Sequence, residues 1–238
     1  VPAYHLVDTC AGEFVAETPY FYSTYGEIDE AQESGGAAVV IVGSGPNRIG
    51  QGLEFDTCCT LCSLAYRERG VRSIMINANP ETVSTDFNIS DRLYLEPVTA
   101  EDVNAVLRRE AFGDVVVQLG GQTPLNMAEA LEAAGARIVG TPLRSILDTE
   151  DRGRFAAILD RLGARQPVNR MADSADAARL AADEIGYPVL VRPSFVLGGR
   201  RMAVAFTPEE LDDFLTREEQ FSSARPLLVD QFLEDAFE

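Results

Sequence analysis

Several residue types are missing or scarce in the 238-residue sequence, which has no lysine, no tryptophan and a single histidine, His5. Because all 20 basic residues are arginines, lysine is excluded as a phosphate-binding group. Long hydrophobic runs are also missing: none approaches the roughly 20 apolar residues of a membrane helix, and the N-terminus has no basic leader followed by an apolar run. We therefore expect a soluble, cytoplasmic protein without a targeting segment or a membrane partner.

Basic residues are outnumbered by acidic ones, 20 against 38, which gives a formal net charge of −18. Such a charge disfavours binding to nucleic acid, so we expect no nucleic-acid partner. An anionic small molecule would need a local pocket of arginine side chains and backbone N–H groups. The hydrophobic content of 46% is sufficient for a packed core, and the length corresponds to one large domain or two small ones.

Four cysteines are present, and three of them, Cys58, Cys59 and Cys62, fall within one predicted helix. This clustering does not resemble the disulfide framework of a secreted protein. Cys59 and Cys62 could form a redox or metal pair, but there is no second CxxC motif and His5 is distant in sequence. We favour the interpretation that these are small, buried helix residues, so the cysteines give no indication of metal ligands in this chain.

The chain divides into three segments by pattern. Residues 1–34 show no strand and little helical periodicity, so we interpret them as a connector or the tail of a preceding helical region. Residues 35–140 alternate continuous apolar strands with helices, which predicts an α/β domain with a doubly wound parallel sheet of Rossmann-like type. Residues 141–238 predict an incomplete α+β domain with strands at Pro188–Pro193, Met202–Phe206 and Leu227–Asp230.

Helix starts follow from capping residues. We expect Thr99, Thr149 and Ser174 to be N-caps, and we expect a further helix from Thr123-Pro124 to about Ala134. The sequence stops directly after LLVDQFLEDAFE, where an α+β unit would leave strand edges uncovered. We therefore expect a fragment of a longer polypeptide.

A glycine-rich loop, Gly43 to Gly52, follows the first strand of the parallel domain. Glycines in this position allow backbone N–H groups to approach an anion at a helix N-terminus. A dinucleotide fingerprint would need a glycine where Arg48 stands and an acidic residue where the second strand ends in Asn77. We therefore expect neither NAD nor flavin, and the loop either holds another ligand or serves packing.

Polar loops follow two more strands, as NANPETVSTD (Asn77–Asp86) and GGQTP (Gly120–Pro124). Segments beyond the carboxyl ends of parallel strands line the ligand crevice of such sheets. The candidate residues at this edge are Arg48, Glu54, Glu81, Gln118 and Gln122. The alternative for each is that it caps or pairs with neighbouring backbone.

The second segment contains RPSFVLGGRR, Arg192 to Arg201, which predicts a strand, a glycine turn and another strand. Gly198 and Gly199 would let the hairpin close over phosphates with backbone N–H groups, while Arg192 supplies a fixed cation. A hairpin turn without a ligand is the alternative. The strand that runs into Gln231 and Leu233 could offer backbone groups to an adenine.

In combination, these motifs resemble a known family. GPNRIGQGLEFD, NPETVSTD, DRLYLEPV, GGQTPLNMA, EDRGRF, EIGYPVLVRPSFVLGGR and LLVDQFLEDAFE closely resemble, in order and spacing, the large subunits of carbamoyl phosphate synthetases. The resemblance implies a pre-ATP-grasp domain followed by the N-terminal part of an ATP-grasp domain. Because Asn47 and Arg48 stand where the first half of that family has other residues, the chain looks like part of the second, carbamate-phosphorylating half.

The resemblance further implies a glutamine-hydrolysing, ATP-dependent ligase of arginine and pyrimidine biosynthesis that uses Mg²⁺ or Mn²⁺. Its partners would be a glutaminase small subunit and the other half of the large subunit. By motif position, Arg152 and Arg192 would hold phosphates and act in catalysis. The other implied ATP contacts are Gly198, Gly199, Gln231, Leu233 and Glu238, and the implied carbamate path comprises Gly52, Glu54 and Glu81.

Two interpretations follow. In the first, the chain is a fragment of this ligase and is inactive by itself, because the family's metal-binding carboxylate and amide come later in sequence. In the second, it is a noncatalytic nucleotide-binding or interaction module of pre-ATP-grasp type.

Overall fold

The structure is a computed structural model, and it describes residues 2–32, 35–46, 52–111, 113–193, 202–217, 226–234 and 236. It consists of two compact units, Val1–Leu147 and Asp148–Glu238. None of the helices in the described ranges has the length and apolar character needed to cross a membrane.

The described part of the first unit contains a seven-stranded sheet in the order β1-β2-β5-β4-β3-β6-β7. Its strands are β1 (Ala3–Leu6), β2 (Tyr20–Thr24), β3 (Ala38–Val42), β4 (Arg72–Asn77), β5 (Arg92–Leu95), β6 (Asp114–Val116) and β7 (Arg137–Ile138). β1 pairs antiparallel with β2, and the other neighbouring pairs are parallel. The sequence prediction of a parallel sheet is confirmed.

Helices cover both faces of this sheet. They are α1 (Leu53–Arg67), α2 (Ala100–Arg109), α3 (Gln122–Leu125), α4 (Ala128–Ala133) and α5 (Leu143–Glu150), together with a 3-10 turn at Val83–Thr85. On one face Val40 and Ile74 pack with Leu131 of α4, and on the other Ile41 packs with Cys59 of α1. The alternating strand residues are therefore all buried, which explains why β3 and β4 appear as continuous apolar runs.

The expectation that residues 1–34 contain no strand is wrong. β1 and β2 extend the sheet past β5, and the buried rings of Tyr4 and Phe21 pack on Tyr94 with centroid separations of 5.0 and 5.5 Å. The buried carboxylate of Glu96 accepts hydrogen bonds from the backbone N–H and the hydroxyl of Ser23. The sequence did not reveal these strands because they are short and their ring partner lies far along the chain.

Two predicted caps are confirmed: Thr99 accepts the N–H of Asp102, and Ser174 accepts the N–H of Ala177. The prediction that Thr149 is an N-cap is wrong, because α5 extends through Thr149 and ends at Glu150. Asp151 caps the next helix instead, since its Oδ1 accepts the N–H of Arg154 at 2.8 Å.

The single helix expected from Thr123 is also wrong, since the structure has two short helices, α3 and α4. The first begins at Gln122, two residues before the predicted first position Pro124, because its N-cap is Gly121, with φ +79°, and not Thr123. Glycine adopts this left-handed backbone without the steric cost that a side chain imposes.

The described part of the second unit has a four-stranded antiparallel sheet in the order β10-β9-β11-β8. Its strands are β8 (Asn169–Ala172), β9 (Val189–Pro193), β10 (Ala203–Ala205) and β11 (Leu227–Gln231), and its helices are α6 (Arg152–Leu162), α7 (Ala175–Ile185) and α8 (Pro208–Arg217). β9 and β10 lie within the predicted strands, β11 extends one residue past its prediction, to Gln231, and β8 was not predicted. Val191 and Val229 face a core with α7 and α8, so Arg192 and Asp230 project to the other face of the sheet.

Candidate functional site

Two glycines allow close backbone approach at the carboxyl ends of β3 and β6. A Cβ on Gly120 would lie 2.4 Å from the carbonyl oxygen of Val42, and a Cβ on Gly43 would lie 2.6 Å from Nδ2 of Asn77. Both distances are far inside van der Waals contact. At these positions the glycines are therefore required by packing.

Asn77, the last residue of β4, is fully buried at this edge. Its Oδ1 accepts the N–H groups of Gly45 and Asn79, each at 3.1 Å, and its Nδ2 donates to the hydroxyl of Ser84 at 3.2 Å. The position at which a dinucleotide domain carries an acidic ribose ligand thus holds an amide whose two ends are bound by the protein.

The residues of the expected carbamate path lie next to this network. Gly52 is the N-cap of α1, and Glu54 is exposed in the first turn of that helix. Glu81 is exposed in the loop after β4, where its N–H donates to Oδ1 of Asn79 at 3.0 Å. A hydrogen bond from the N–H of Ser84 to Oδ2 of Asp56, 3.0 Å long, joins the loop after β4 to the first turn of α1.

The remaining edge candidates differ in their contacts. Gln118 packs its amide against Gly140, where an added Cβ would lie 2.3 Å from Nε2. Its Oε1 is buried and has no hydrogen-bond partner among the described residues. Gln122 donates from Nε2 to Oδ1 of Asn126 at 2.9 Å, which is a contact within one helical turn. Arg48 lies outside the described residues.

A cavity of about 370 Å³ opens beyond the ends of β4 and β5. Its lining consists of Ala78, Pro80, Leu95, Glu96 and Pro97. Burial raises the pKa of Glu96, whereas its hydrogen bonds from Ser23 oppose the shift. The cavity wall is thus mainly apolar, with a carboxyl group whose oxygens are bound to β2.

The helix cysteines have different environments. Cys59 is buried in the core, and burial raises the pKa of its thiol to about 12, as expected for a small core residue. Cys58 is exposed and Cys62 is partly buried, so the expectation that all three are buried is wrong for Cys58 and is fully met only by Cys59. In the described ranges no group of three or more His, Cys, Asp or Glu side chains could hold a metal ion.

In the second unit, Arg192 of β9 is anchored by Asp230 of β11. Both Nε and Nη2 of Arg192 lie 3.0 Å from Oδ2 of Asp230. The Asp230 side chain is 12% exposed and that of Arg192 is 31% exposed. A charged residue inside an apolar strand was the sequence signal for this contact, and sequence reasoning missed Asp230.

Arg152, the first residue of α6, adds a second cation to this region. Burial lowers the pKa of its guanidinium, and the charge of Arg192 lowers it further, while Asp230 opposes the shift. The pKa of Asp230 is raised by burial and lowered by both arginines. The two guanidinium groups thus act on one another in a half-buried place, where Asp230 acts on both of them and Glu150 also acts on Arg152. Two neighbouring arginines of this kind can bind an anion.

The other implied nucleotide contacts are only partly described. Gln231 is exposed at the end of β11, and its N–H donates to the carbonyl of Val168 at 2.8 Å, so its backbone donor is engaged. Leu233 is 51% exposed in the following loop. Gly198, Gly199 and Glu238 lie outside the described residues, as does the turn of the predicted hairpin, although β9 and β10 pair antiparallel on either side of it.

Comparison with known proteins covers both units. Residues 36–148 match the family described as carbamoyl phosphate synthase preATP-grasp domain, and residues 151–237 match the carbamoyl-phosphate synthase L chain ATP binding domain. The carbamoyl phosphate synthase large chain of Gemmatimonas aurantiaca is 56% identical over 100% of this chain, and that of Archaeoglobus fulgidus is 53% identical over 99%. The chain belongs to the carbamoyl phosphate synthase large-chain family. It spans 22% of the length of each of these two large chains.

Solved structures of other enzymes share the fold of this chain. The biotin carboxylase domain of Hydrogenobacter thermophilus 2-oxoglutarate carboxylase, a complex with MgADP, ADP and bicarbonate, is 21% identical with a TM-score of 0.61. N5-carboxyaminoimidazole ribonucleotide synthetase from Thermus thermophilus is 19% identical with a TM-score of 0.57. The match covers 82% of this chain in both cases, and 44% and 47% of those chains. The α/β fold with a parallel sheet is therefore shared with these enzymes.

Proposed function

We propose that this chain is part of an ATP-dependent ligase that makes carbamoyl phosphate from bicarbonate, ammonia derived from glutamine, and ATP. It belongs to the half that phosphorylates carbamate. The observation that carries this proposal is the half-buried group of Arg152, Arg192 and Asp230, whose two guanidinium groups suit the phosphates of ATP. The family match supports the ligase reaction.

The chemistry fits what these residues offer. Phosphoryl transfer needs little covalent help from a protein and depends on positioning and on neutralising charge. Arg192, oriented by Asp230, and Arg152 bind phosphate oxygens and stabilise the charge that develops on the transferred group. Gln231 and Leu233 bind the base, while Gly198, Gly199 and Glu238 complete the nucleotide contacts.

A divalent ion, Mg²⁺ or Mn²⁺, accompanies the ATP and neutralises phosphate charge when bound. The described residues do not fit a metal site, so we assign no ligand to the ion and route no step through it. The remaining proposed partners are a glutaminase subunit and the other half of the large chain. Because the chain spans 22% of its relatives' length, we propose that it does not turn over alone.

The first unit contributes the route by which carbamate arrives. Gly52, Glu54 and Glu81 lie at the carboxyl edge of the parallel sheet, on two segments that the Asp56–Ser84 hydrogen bond joins. Crevices at this edge are the usual ligand sites of open parallel sheets.

The test uses Arg152→Ala and Arg192→Ala in the complete large chain with its glutaminase partner. Losing a charged hydrogen bond at a transferring phosphoryl group commonly costs on the order of 10²- to 10³-fold in rate. ATP synthesis from ADP and carbamoyl phosphate should fall by this factor, and bicarbonate-dependent ATP hydrolysis without ammonia should survive because the other half catalyses it.

The matched control is Arg170→Ala, an exposed arginine of β8 in the same unit whose ion pair with Glu184 is 53% exposed on both sides. Exposed pairs contribute little, so both partial reactions should remain. Lost hydrolysis with preserved ATP synthesis in the Arg192 variant would assign the chain to the other half. Loss of neither would remove the two arginines from the nucleotide site.

A further inference from the structure

The buried amide of Asn77 is the common anchor of two loops at the carboxyl edge of the first sheet. One acceptor, Oδ1, holds the N–H of Gly45 in the loop after β3 and the N–H of Asn79 in the loop after β4. The donor, Nδ2, holds the hydroxyl of Ser84 in the 3-10 turn. A single side chain therefore fixes one point in the loop after β3 and two points in the segment after β4.

The same network reaches the helix that carries Glu54. The hydroxyl of Ser84 accepts a hydrogen bond from Asn77, and the N–H of Ser84 donates to Asp56. Asp56 lies in the first turn of α1 and is 2% exposed. The N–H of Asn79 donates to Oδ1 of Asn77, and Oδ1 of Asn79 accepts the N–H of Glu81. Asn77 is thus connected through one intermediate residue to each segment that bears a carbamate-path glutamate.

Gly43 is required for this arrangement. A Cβ at position 43 would lie 2.6 Å from Nδ2 and 2.9 Å from Cγ of Asn77, and 3.1 Å from the carbonyl oxygen of Ile76. Asn77 has no exposed surface and is hydrogen-bonded at both ends, so it cannot move aside without leaving buried polar groups unpaired. The glycine and the asparagine form one packing unit.

We infer that Asn77 is a positioning residue for the transfer of carbamate: it sets the spacing between the N-terminus of α1, with Gly52 and Glu54, and the loop that carries Glu81. This inference rests on the proposed function. It does not place Asn77 in contact with substrate, because its polar atoms are engaged by Gly45, Asn79 and Ser84.

The experiment uses the complete large chain with its glutaminase partner and compares three variants, Asn77→Ala, Ser84→Ala and Gly43→Ala. The main readout is the amount of carbamoyl phosphate formed per ATP hydrolysed in the glutamine-dependent reaction. Misplacing a site by about 1 Å can cost up to about 100-fold, so we expect this ratio to fall roughly 10- to 100-fold in Asn77→Ala. Gly43→Ala should behave similarly, and Ser84→Ala should fall less because one of three bonds is lost.

A second readout separates positioning from simple loss of folding. ATP synthesis from added ADP and carbamoyl phosphate does not need carbamate to arrive through the first unit, so it should remain close to wild type. The control is Asn88→Ala, an exposed asparagine of the same loop region, which should leave both readouts unchanged. If Asn77→Ala loses ATP synthesis as well, the milder Ser84→Ala variant is used in its place. We expect its ratio of carbamoyl phosphate to hydrolysed ATP to fall while its ATP synthesis stays close to wild type.

Two results would overturn the inference. One is an unchanged product-to-ATP ratio in Asn77→Ala, and the other is a parallel loss of both readouts in Ser84→Ala as well as Asn77→Ala, which indicates a merely structural role. Failure of the proposed function is seen separately, in Arg192→Ala, where bicarbonate-dependent hydrolysis would be lost in place of ATP synthesis.

Discussion

Replacing Arg192 by lysine separates the charge at the nucleotide site from its orientation. Lysine keeps the positive charge, so a phosphate would still meet a cation. It cannot keep the geometry, because both Nε and Nη2 of Arg192 lie 3.0 Å from one oxygen of Asp230. A lysine ammonium is a single point of contact on a flexible stem, and it must either pair with Asp230 or bind the phosphate.

The size of the effect follows from this pairing. A hydrogen bond to a charged group contributes roughly 1.5–3 kcal/mol. The Arg192 side chain is 31% exposed and Asp230 is 12% exposed, so solvent screening favours the lower end of that range, about 1.5 kcal/mol. Since about 1.4 kcal/mol corresponds to a factor of ten, Arg192→Lys should weaken nucleotide binding about tenfold. Arg192→Ala should cost considerably more.

The assay is ATP synthesis from ADP and carbamoyl phosphate by the complete enzyme, with the KM for ADP measured in wild type, Arg192→Lys and Arg192→Ala. Bicarbonate-dependent ATP hydrolysis in the same preparations serves as the internal control. A lysine variant indistinguishable from wild type would show that nucleotide binding depends on the charge alone and that the orientation imposed by Asp230 has no effect. A lysine variant as impaired as the alanine variant would refute the idea that the charge and the orientation of Arg192 contribute separately to binding.

Three further outcomes can be measured. Burial raises the pKa of Glu96 above its ordinary value of 4.5, so at pH values above 4.5 the folded state binds more protons than the unfolded chain, and the stability of the wild type falls as the pH rises. The difference in stability between Glu96→Gln and wild type, measured by urea unfolding, should therefore shift in favour of Glu96→Gln as the pH rises, and a constant difference would contradict this. Tyr94→Phe removes a buried hydrogen bond to the Glu110 carboxylate and should lower the free energy of unfolding by about 2 kcal/mol, whereas a loss below about 0.5 kcal/mol would show that the bond is not made. Glu54→Gln and Glu81→Gln should lower carbamoyl phosphate yield but leave bicarbonate-dependent hydrolysis intact, and unchanged yield would remove them from the carbamate path.

The parallel sheet could be predicted because its central strands are buried on both faces. Ile74, Met75 and Ile76 are all fully buried, and such a run is visible in the sequence without knowledge of its partners. β1 and β2 could not be predicted in this way. Their anchor is the contact of Tyr4 and Phe21 with Tyr94, and a contact across more than 70 residues leaves no local pattern.

The candidate site likewise has a part that could be predicted from the sequence and a part that could not. The residue types at the carboxyl edge could be predicted, because strand ends and glycine loops are local features. The partners of Asn77 and Asp230 could not, since each side chain bonds to atoms on another strand or loop. Asp230 nevertheless had a sequence signal, because a carboxylate in the apolar strand LLVDQ is costly to bury unless a cation pairs with it.

The glycine loop after β3 shows why a motif alone does not identify a ligand. A glycine is informative about a bound anion only if the space beside its Cα is kept for that anion. At Gly43 the space is filled by Asn77, and at Gly45, which has φ +71°, an added Cβ would meet Val98 at 3.4 Å. These two glycines are therefore explained by the protein's own packing. Among the described residues, a Cβ on Gly52 would meet only the flexible end of the Glu54 side chain, at 3.5 Å, so Gly52 is the better candidate for a glycine next to a ligand. Gly52→Ala should accordingly be tolerated by the fold, and any loss of carbamoyl phosphate yield in that variant would report on the carbamate path and not on packing.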